Sequence, residues 1–163
     1  MRPILSSLFI LCFLNISAQD NFGRSEAYRA KVIRDVGYLM HSCNTDRILT
    51  PKEIKGDTLI ESCEITYESE VEPYVKIRKM HFYAAPMYHQ DVYYSEGDTL
   101  IYAKETELWI TADHRDTIVW NCQYFFEKGE LVDYISLGHG RTEMEDWDPE
   151  YILKKYTNLL EDE

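Results

Sequence analysis

Thr58-Leu59-Ile60-Glu61-Ser62-Cys63-Glu64-Ile65-Thr66-Tyr67 is where the chain changes period. Leu59, Cys63, Ile65 and Tyr67 alternate with Ile60, Ser62, Glu64, Thr66 and Glu68. A two-residue repeat of this kind sends successive side chains to opposite faces of a β-strand. The run Glu72 to Tyr83 continues in the same manner after a tight turn, which makes a first hairpin. Ala84-Ala85-Pro86 breaks the pattern, and Gln90 to Ser95 reads as a short strand. Glu96-Gly97-Asp98 turns into a strand over Thr99 to Ile110, and Asp113-His114-Arg115-Asp116 forms the next loop. Thr117 to Glu127 returns, and Lys128-Gly129 turns into Glu130 to Leu137. The turns carry the polar and glycine chemistry of short hairpin connections. The prediction is six antiparallel strands in up-and-down order, and strands of this length twist and coil into a curved sheet with a concave face.

Outward from the meander the period becomes helical. Ser25 to His41 places Tyr28, Val32, Val36, Leu39 and Met40 on one stripe, with Ser25 as the expected N-cap. Thr50-Pro51-Lys52-Glu53 has the shape of a capping box, and Gly56 stops that segment within a turn or two. Near the C-terminus, Asp148-Pro149-Glu150 supplies a cap, a proline for the first helical position and an acid in the first turn. Ile152, Leu153, Tyr156, Leu159 and Leu160 then trace an apolar stripe. The expected fold is α+β: an N-terminal helix, a six-stranded antiparallel meander forming a curved sheet, and a C-terminal helix, with one sheet face covered by helix.

The first residues read differently. Arg2, the apolar run Ile4 to Leu14 and the small residues Ser17 and Ala18 have the three parts of a secretory signal. Residues 1–18 are therefore expected to be a cleaved signal peptide, and 19–163 a single α+β domain. The apolar run falls short of the roughly 20 residues that cross a bilayer core, so no stable membrane insertion is expected. The predicted location is the periplasm or the extracellular space. The chain has 17 basic and 29 acidic residues, and loss of Arg2 with the signal takes the net charge from −12 to −13. That sign argues against nucleic acid and against anionic membranes, both of which require a basic footprint.

Of the cysteines left after such cleavage, Cys43, Cys63 and Cys122, an odd set permits one disulfide plus a free thiol, or none. Cys43 follows a helix and is the expected bridge partner of Cys63. Cys63 and Cys122 both fall in strongly apolar strand patterns, Cys122 between Trp120 and Tyr124, where a free thiol behaves as a small buried hydrophobe, and Cys122 is a poor nucleophile.

Three constellations are candidates for chemistry. A hairpin centred on Ala85 would set His81 opposite His89 with Met87 nearby, a nitrogen and sulfur set suited to copper. Gly138-His139-Gly140-Arg141 could form a backbone anion nest with Arg141 beside it, and His139 is the candidate base. The bland alternative there is a strand end turning toward the last helix. Tyr83, Tyr88, Tyr93 and Tyr94 cluster in the middle hairpins and could form a recognition surface, although tyrosine is also an ordinary β-former. The acidic run from Glu143 to Glu150 lacks the ligand alternation of a calcium loop.

No cofactor is predicted. The leading expectation is a non-catalytic binding module for a protein, peptide or glycan, which requires an exposed tyrosine patch. A small-ligand or metal carrier requires a pocket between helix and sheet. A hydrolase or isomerase requires a cleft where titratable groups converge.

Overall fold

The computed structural model describes residues 25–41, 54, 58–65, 75–84, 86–109 and 117–161. Residues 1–18, where a signal peptide was expected, Cys43, the Thr50 to Glu53 motif and the Asp113 to Asp116 segment lie outside them. Helix α1 spans 25–41. Strands β1 (Leu59–Ile65), β2 (Val75–Ala84), β3 (Met87–Glu96), β4 (Thr99–Trp109), β5 (Thr117–Glu127) and β6 (Glu130–Gly138) follow, and helix α2 (Tyr151–Glu161) comes last. The strands lie in one open curved sheet in sequence order, each antiparallel to the next. The fold is the expected α+β meander between two helices.

Turn chemistry explains the connections. Gly97 has φ +57° between β3 and β4, and Lys128 and Gly129 have φ 56° and 81° between β5 and β6, the left-handed pair that a two-residue hairpin turn demands. The third strand is longer than the sequence suggested. Ala84 pairs with Met87, so only Ala85 and Pro86 connect β2 to β3 and pairing begins at once. Pro86, with fixed φ and no N–H to place, suits that tight connection.

Both faces of the sheet are covered, where one was expected. The alternating positions show why. On one face lie Ile77, Val92, Tyr94, Tyr102 and Phe125, and α1 buries Val32, Val36 and Leu39 against them. On the other lie Tyr93, Trp120, Cys122 and Tyr124, against which α2 buries Ile152, Tyr156 and Leu159. Each face of the central strands is apolar, so each must be removed from water, and each fully buried large side chain contributes roughly 1.5–3 kcal/mol. Ile54, Tyr88 and Leu108 extend the α1 face as a smaller cluster.

Polar contacts fix both helices. Ser25 does not act as a free cap: its hydroxyl donates to Asp133 Oδ2 at 2.7 Å, and Arg29 binds the same oxygen at 2.6 Å. On the other side, buried Arg78 donates to the Tyr156 hydroxyl at 3.3 Å and lies 5.7 Å from that ring. α2 begins two residues later than the Asp-Pro signal implied. Asp148 Oδ1 accepts from the Glu150 N–H at 2.9 Å and its carbonyl accepts from Tyr151 N–H at 3.0 Å, so Asp148 to Glu150 form a capping turn. Among the described residues no helix is long and apolar enough to cross a membrane.

Gly37 sits in α1 with nothing within 4 Å of where a Cβ would be. Gly37→Ala is expected to raise stability by about 0.5–1 kcal/mol, since Gly loses more backbone freedom in a helix than Ala. Urea denaturation checks this, and a loss would mean the helix is bent or packed at that point.

Candidate functional site

Antiparallel register brings charged side chains together on the α2 face. Phe82 lies opposite His89, His89 opposite Glu107, Asp91 opposite Glu105, and Glu107 opposite Trp120. Past the end of the α2 contact these residues, with Met80, line a cleft of about 370 Å³, flanked by Arg141 and Lys155. That volume is in the range of small-molecule sites.

Two carboxylates directly opposite on neighbouring strands repel. Lys155, projecting from α2, resolves the conflict: its Nζ bonds Asp91 Oδ2 and stands 3.1 Å from Glu105 Oε1. Arg141 Nη1 approaches the same Glu105 oxygen at 3.7 Å, and the Tyr124 hydroxyl donates to Glu105 Oε2 at 2.8 Å. Burial raises the Asp91 carboxyl above its ordinary range, an effect that Lys155 opposes and Glu105 reinforces. Burial alone would lower the Lys155 ammonium, but Asp91 and Glu105 outweigh it and hold Lys155 above its usual value. Tyr93 and Tyr124 are both pushed up, first by burial and then by nearby carboxylates, Asp91 and Glu105 for Tyr93 and Glu105 for Tyr124. Cys122 beneath them is raised by burial to about 11, which makes it a poor nucleophile.

At the far end of the cleft the His89 ring lies 5.7 Å from Phe82, tilted by 43°, and its Nδ1 is 3.5 Å from Glu107 Oε1. Phe82 is 39% exposed.

Trp120 organises the wall. Register shifts beside it: Glu107 pairs with Trp120 and Leu108 with Ile118, leaving Val119 as the extra residue of a β-bulge. The freed Val119 carbonyl accepts the His139 N–H at 3.1 Å. Trp120 Nε1 donates to Ser136 Oγ at 3.0 Å and Thr142 Oγ1 at 3.2 Å. The chain leaving β6 therefore folds back over the indole. A Cβ at Gly140 would stand 2.3 Å from Trp120 Cγ, and one at Gly138, where φ is +88°, would stand 2.2 Å from the Val119 oxygen. These glycines exist for close approach, and the turn they make delivers Arg141 to the cleft.

The expected site residues are divided by this arrangement. Arg141 enters the cleft. His139 does not: its side chain is 94% exposed and pairs with Glu143 at 2.9 Å. Of the N–H groups in the expected anion nest, that of His139 is committed to the Val119 carbonyl. The copper set is not assembled either. His81 pairs with Gln90 rather than His89, so the two imidazoles lie on opposite faces; Met87, paired with Ala84, shares the His89 face. His81 is buried, with Nδ1 2.6 Å from the Tyr88 hydroxyl and Nε2 3.2 Å from Glu61 Oε2. Among the described residues no group of three or more His, Cys, Asp or Glu could hold a metal ion. Tyr88 and Tyr93 are fully buried, Tyr94 is 5% exposed and Tyr83 is half-buried, so these tyrosines form core rather than an open recognition patch. Cys63 is disulfide-bonded and Cys122 is free. Cys43, the expected partner of Cys63, lies outside the described residues.

Sequence reasoning missed Asp91, Glu105, Glu107 and Lys155. A signal was present: Asp91 and the spaced pair Glu105 and Glu107 are charges inside strands of a meander, where apolar residues belong. The chain matches no known protein family, no curated protein and no solved structure.

Two outcomes follow from the geometry. Gly140→Ala is expected to cost roughly 1–3 kcal/mol through overpacking against Trp120, and to change Trp fluorescence in the folded state; wild-type stability in urea would show that the turn yields freely. Lys155→Met is expected to cost roughly 3 kcal/mol at neutral pH by leaving two facing carboxylates without their cation. Because the Asp91 carboxyl is raised in the fold, its contribution is full below the unfolded value of about 3.9 and is lost as pH rises through the folded value. The Lys155→Met deficit should therefore shrink on acidification toward pH 4 and grow above it, read by denaturation at stepped pH, and Asp91→Asn in the same background should abolish most of the slope.

Proposed function

We propose that the chain is a non-catalytic binding domain of an exported protein, and that it holds a small ligand in the cleft between the sheet and the α2 side. The observation that carries this reading is the cleft itself. Met80 and Phe82 offer apolar surface over the buried Trp120 indole, while His89, Glu107, Asp91, Glu105, Arg141 and Lys155 supply polar groups around the same space of about 370 Å³. Apolar walls with a few placed polar groups are the composition of small-ligand sites. With the middle tyrosines buried, the small-ligand alternative has more support than a tyrosine-based surface for a protein, peptide or glycan.

Export is supported by Arg2, the apolar run Ile4 to Leu14 and the small residues before Gln19. A disulfide at Cys63 fits an oxidising compartment.

One observation favours a hydrolase or isomerase as a second reading: Asp91 is a carboxyl raised by burial in a cleft, beside Lys155 and Glu105. It would act as a proton donor, with Glu105 and Lys155 as its positioning partners.

A fragment screen by NMR on the exported, purified chain tests the binding reading. Bound fragments are expected to shift resonances of Phe82, His89 and Trp120, and Phe82→Ala to weaken them several-fold. Fragments that bind only elsewhere, or none at millimolar concentration, would sink it. Intact mass of the same preparation is expected to correspond to a chain starting at Gln19.

A further inference from the structure

The two ends of the cleft differ in how their charges are answered. At the α2 end, Asp91 and Glu105 share Lys155, and Arg141 stands 3.7 Å from Glu105. At the far end, Glu107 has no Lys or Arg within 4.0 Å among the described residues; Arg141 acts on it only from farther away, and its near partner is the His89 ring at 3.5 Å. The Glu107 side chain is only 19% exposed. Beside it stands an aromatic wall, the tilted Phe82 and His89 pair, with Phe82 exposed at 39%. A carboxylate next to an open aromatic face is complementary to an organic cation, which the anion pairs and the ring quadrupole attracts. The Trp120 N–H is already given to Ser136 and Thr142, so the buried indole brings no free donor to this wall of the cleft. The field of the whole molecule acts in the same direction, since the net charge of −12 concentrates cations near the surface.

We propose that the cleft takes a small organic ammonium, its charged head against Glu107 and the exposed Phe82 ring and its apolar body against Met80. This rests on the reading of the cleft as a small-ligand site. An inorganic cation is a poorer occupant, because one carboxylate and one imidazole leave most of its coordination shell to water and gain nothing from the rings. A carboxylate or phosphate ligand would meet Asp91, Glu105 and Glu107, with Lys155 already engaged by the first two and Arg141 drawn toward Glu105.

The test is a titration of the mature chain with three probes of matched shape: benzyltrimethylammonium, its neutral tert-butyl analogue neopentylbenzene carried in a few percent co-solvent, and phenylacetate. Two-dimensional NMR reads affinity and location together. The cation is expected to shift Phe82, His89 and Glu107 and to bind at least 10-fold more tightly than either of the others. Glu107→Gln should weaken the cation about 10-fold while leaving the neutral probe unchanged, and Phe82→Leu, which keeps apolar bulk, should weaken the cation about 3-fold or more. Thermal unfolding of both variants confirms that they are folded. If the neutral probe or phenylacetate binds in the cleft as tightly as the cation, or if Glu107→Gln leaves cation affinity intact, the cation assignment is overturned and the small-ligand reading stands. If none of the three binds there while fragments of the screen do, the cation assignment again falls alone. If nothing at all binds in the cleft, both fall.

Discussion

Asp91 and Glu105 face each other across the central β3–β4 ladder, and the α2 side of the molecule is arranged around that repulsion. Left alone, the pair would push apart the two strands that hold the sheet together. Lys155 answers both carboxylates, and its position follows from apolar docking, since its neighbours Ile152, Tyr156 and Leu159 fix α2 against Tyr93, Trp120 and Tyr124. Packing and electrostatics here are one structure: the helix cannot leave without exposing its core face and orphaning two carboxylates. A buried ionic cluster of this kind is weak as a source of stability, because an apolar replacement of the same volume removes the desolvation cost as well as the attraction. Its presence beside an open cleft, in strands that could have been apolar, is what draws attention to that cleft as a site.

The second constraint is steric. The β-bulge at Val119 turns a carbonyl out of the ladder, and His139 N–H takes it. That bond, the Ser136 and Thr142 contacts to the Trp120 indole, and the two glycines that permit backbone to lie on the ring hold the chain after β6 in one path. Arg141 arrives at the cleft by that path, stacked 4.9 Å above Tyr151. The same path carries His139 outward into solvent. Neighbours in sequence thus receive opposite fates from a single turn.

The faces of the sheet divide the labour. On the α1 face the polar groups are absorbed into the core, as in His81 with Tyr88 and Glu61. On the α2 face the short helix covers one end, and the remaining polar groups surround a space. Two histidines eight residues apart therefore have unrelated environments, one a buried hydrogen-bonding member of the core and the other part of an open aromatic wall.

How much of this was legible follows from the range of the interactions involved. Strand positions, the Gly97 and Lys128-Gly129 turns and the two apolar stripes are local properties of dihedral preference and hydrophobic period, and they could be read along the chain. Both helices were visible, but not that they take opposite faces, because both alternating sets of the central strands are apolar and local pattern does not say which helix reaches which. Register across Ala85-Pro86 was decided by tertiary pairing, and a shift of one residue moves a side chain to the other face, which is why His81 and His89 separate. The cleft depended on partners 50 and 64 residues apart, Lys155 with Glu105 and Asp91. Sequence alone determined the elements and their order, since those rest on neighbours in the chain. Only the folded sheet decided the site, since charges on separate strands acquire a common environment when hydrogen-bonded ladders and a docked helix bring them into one place away from water.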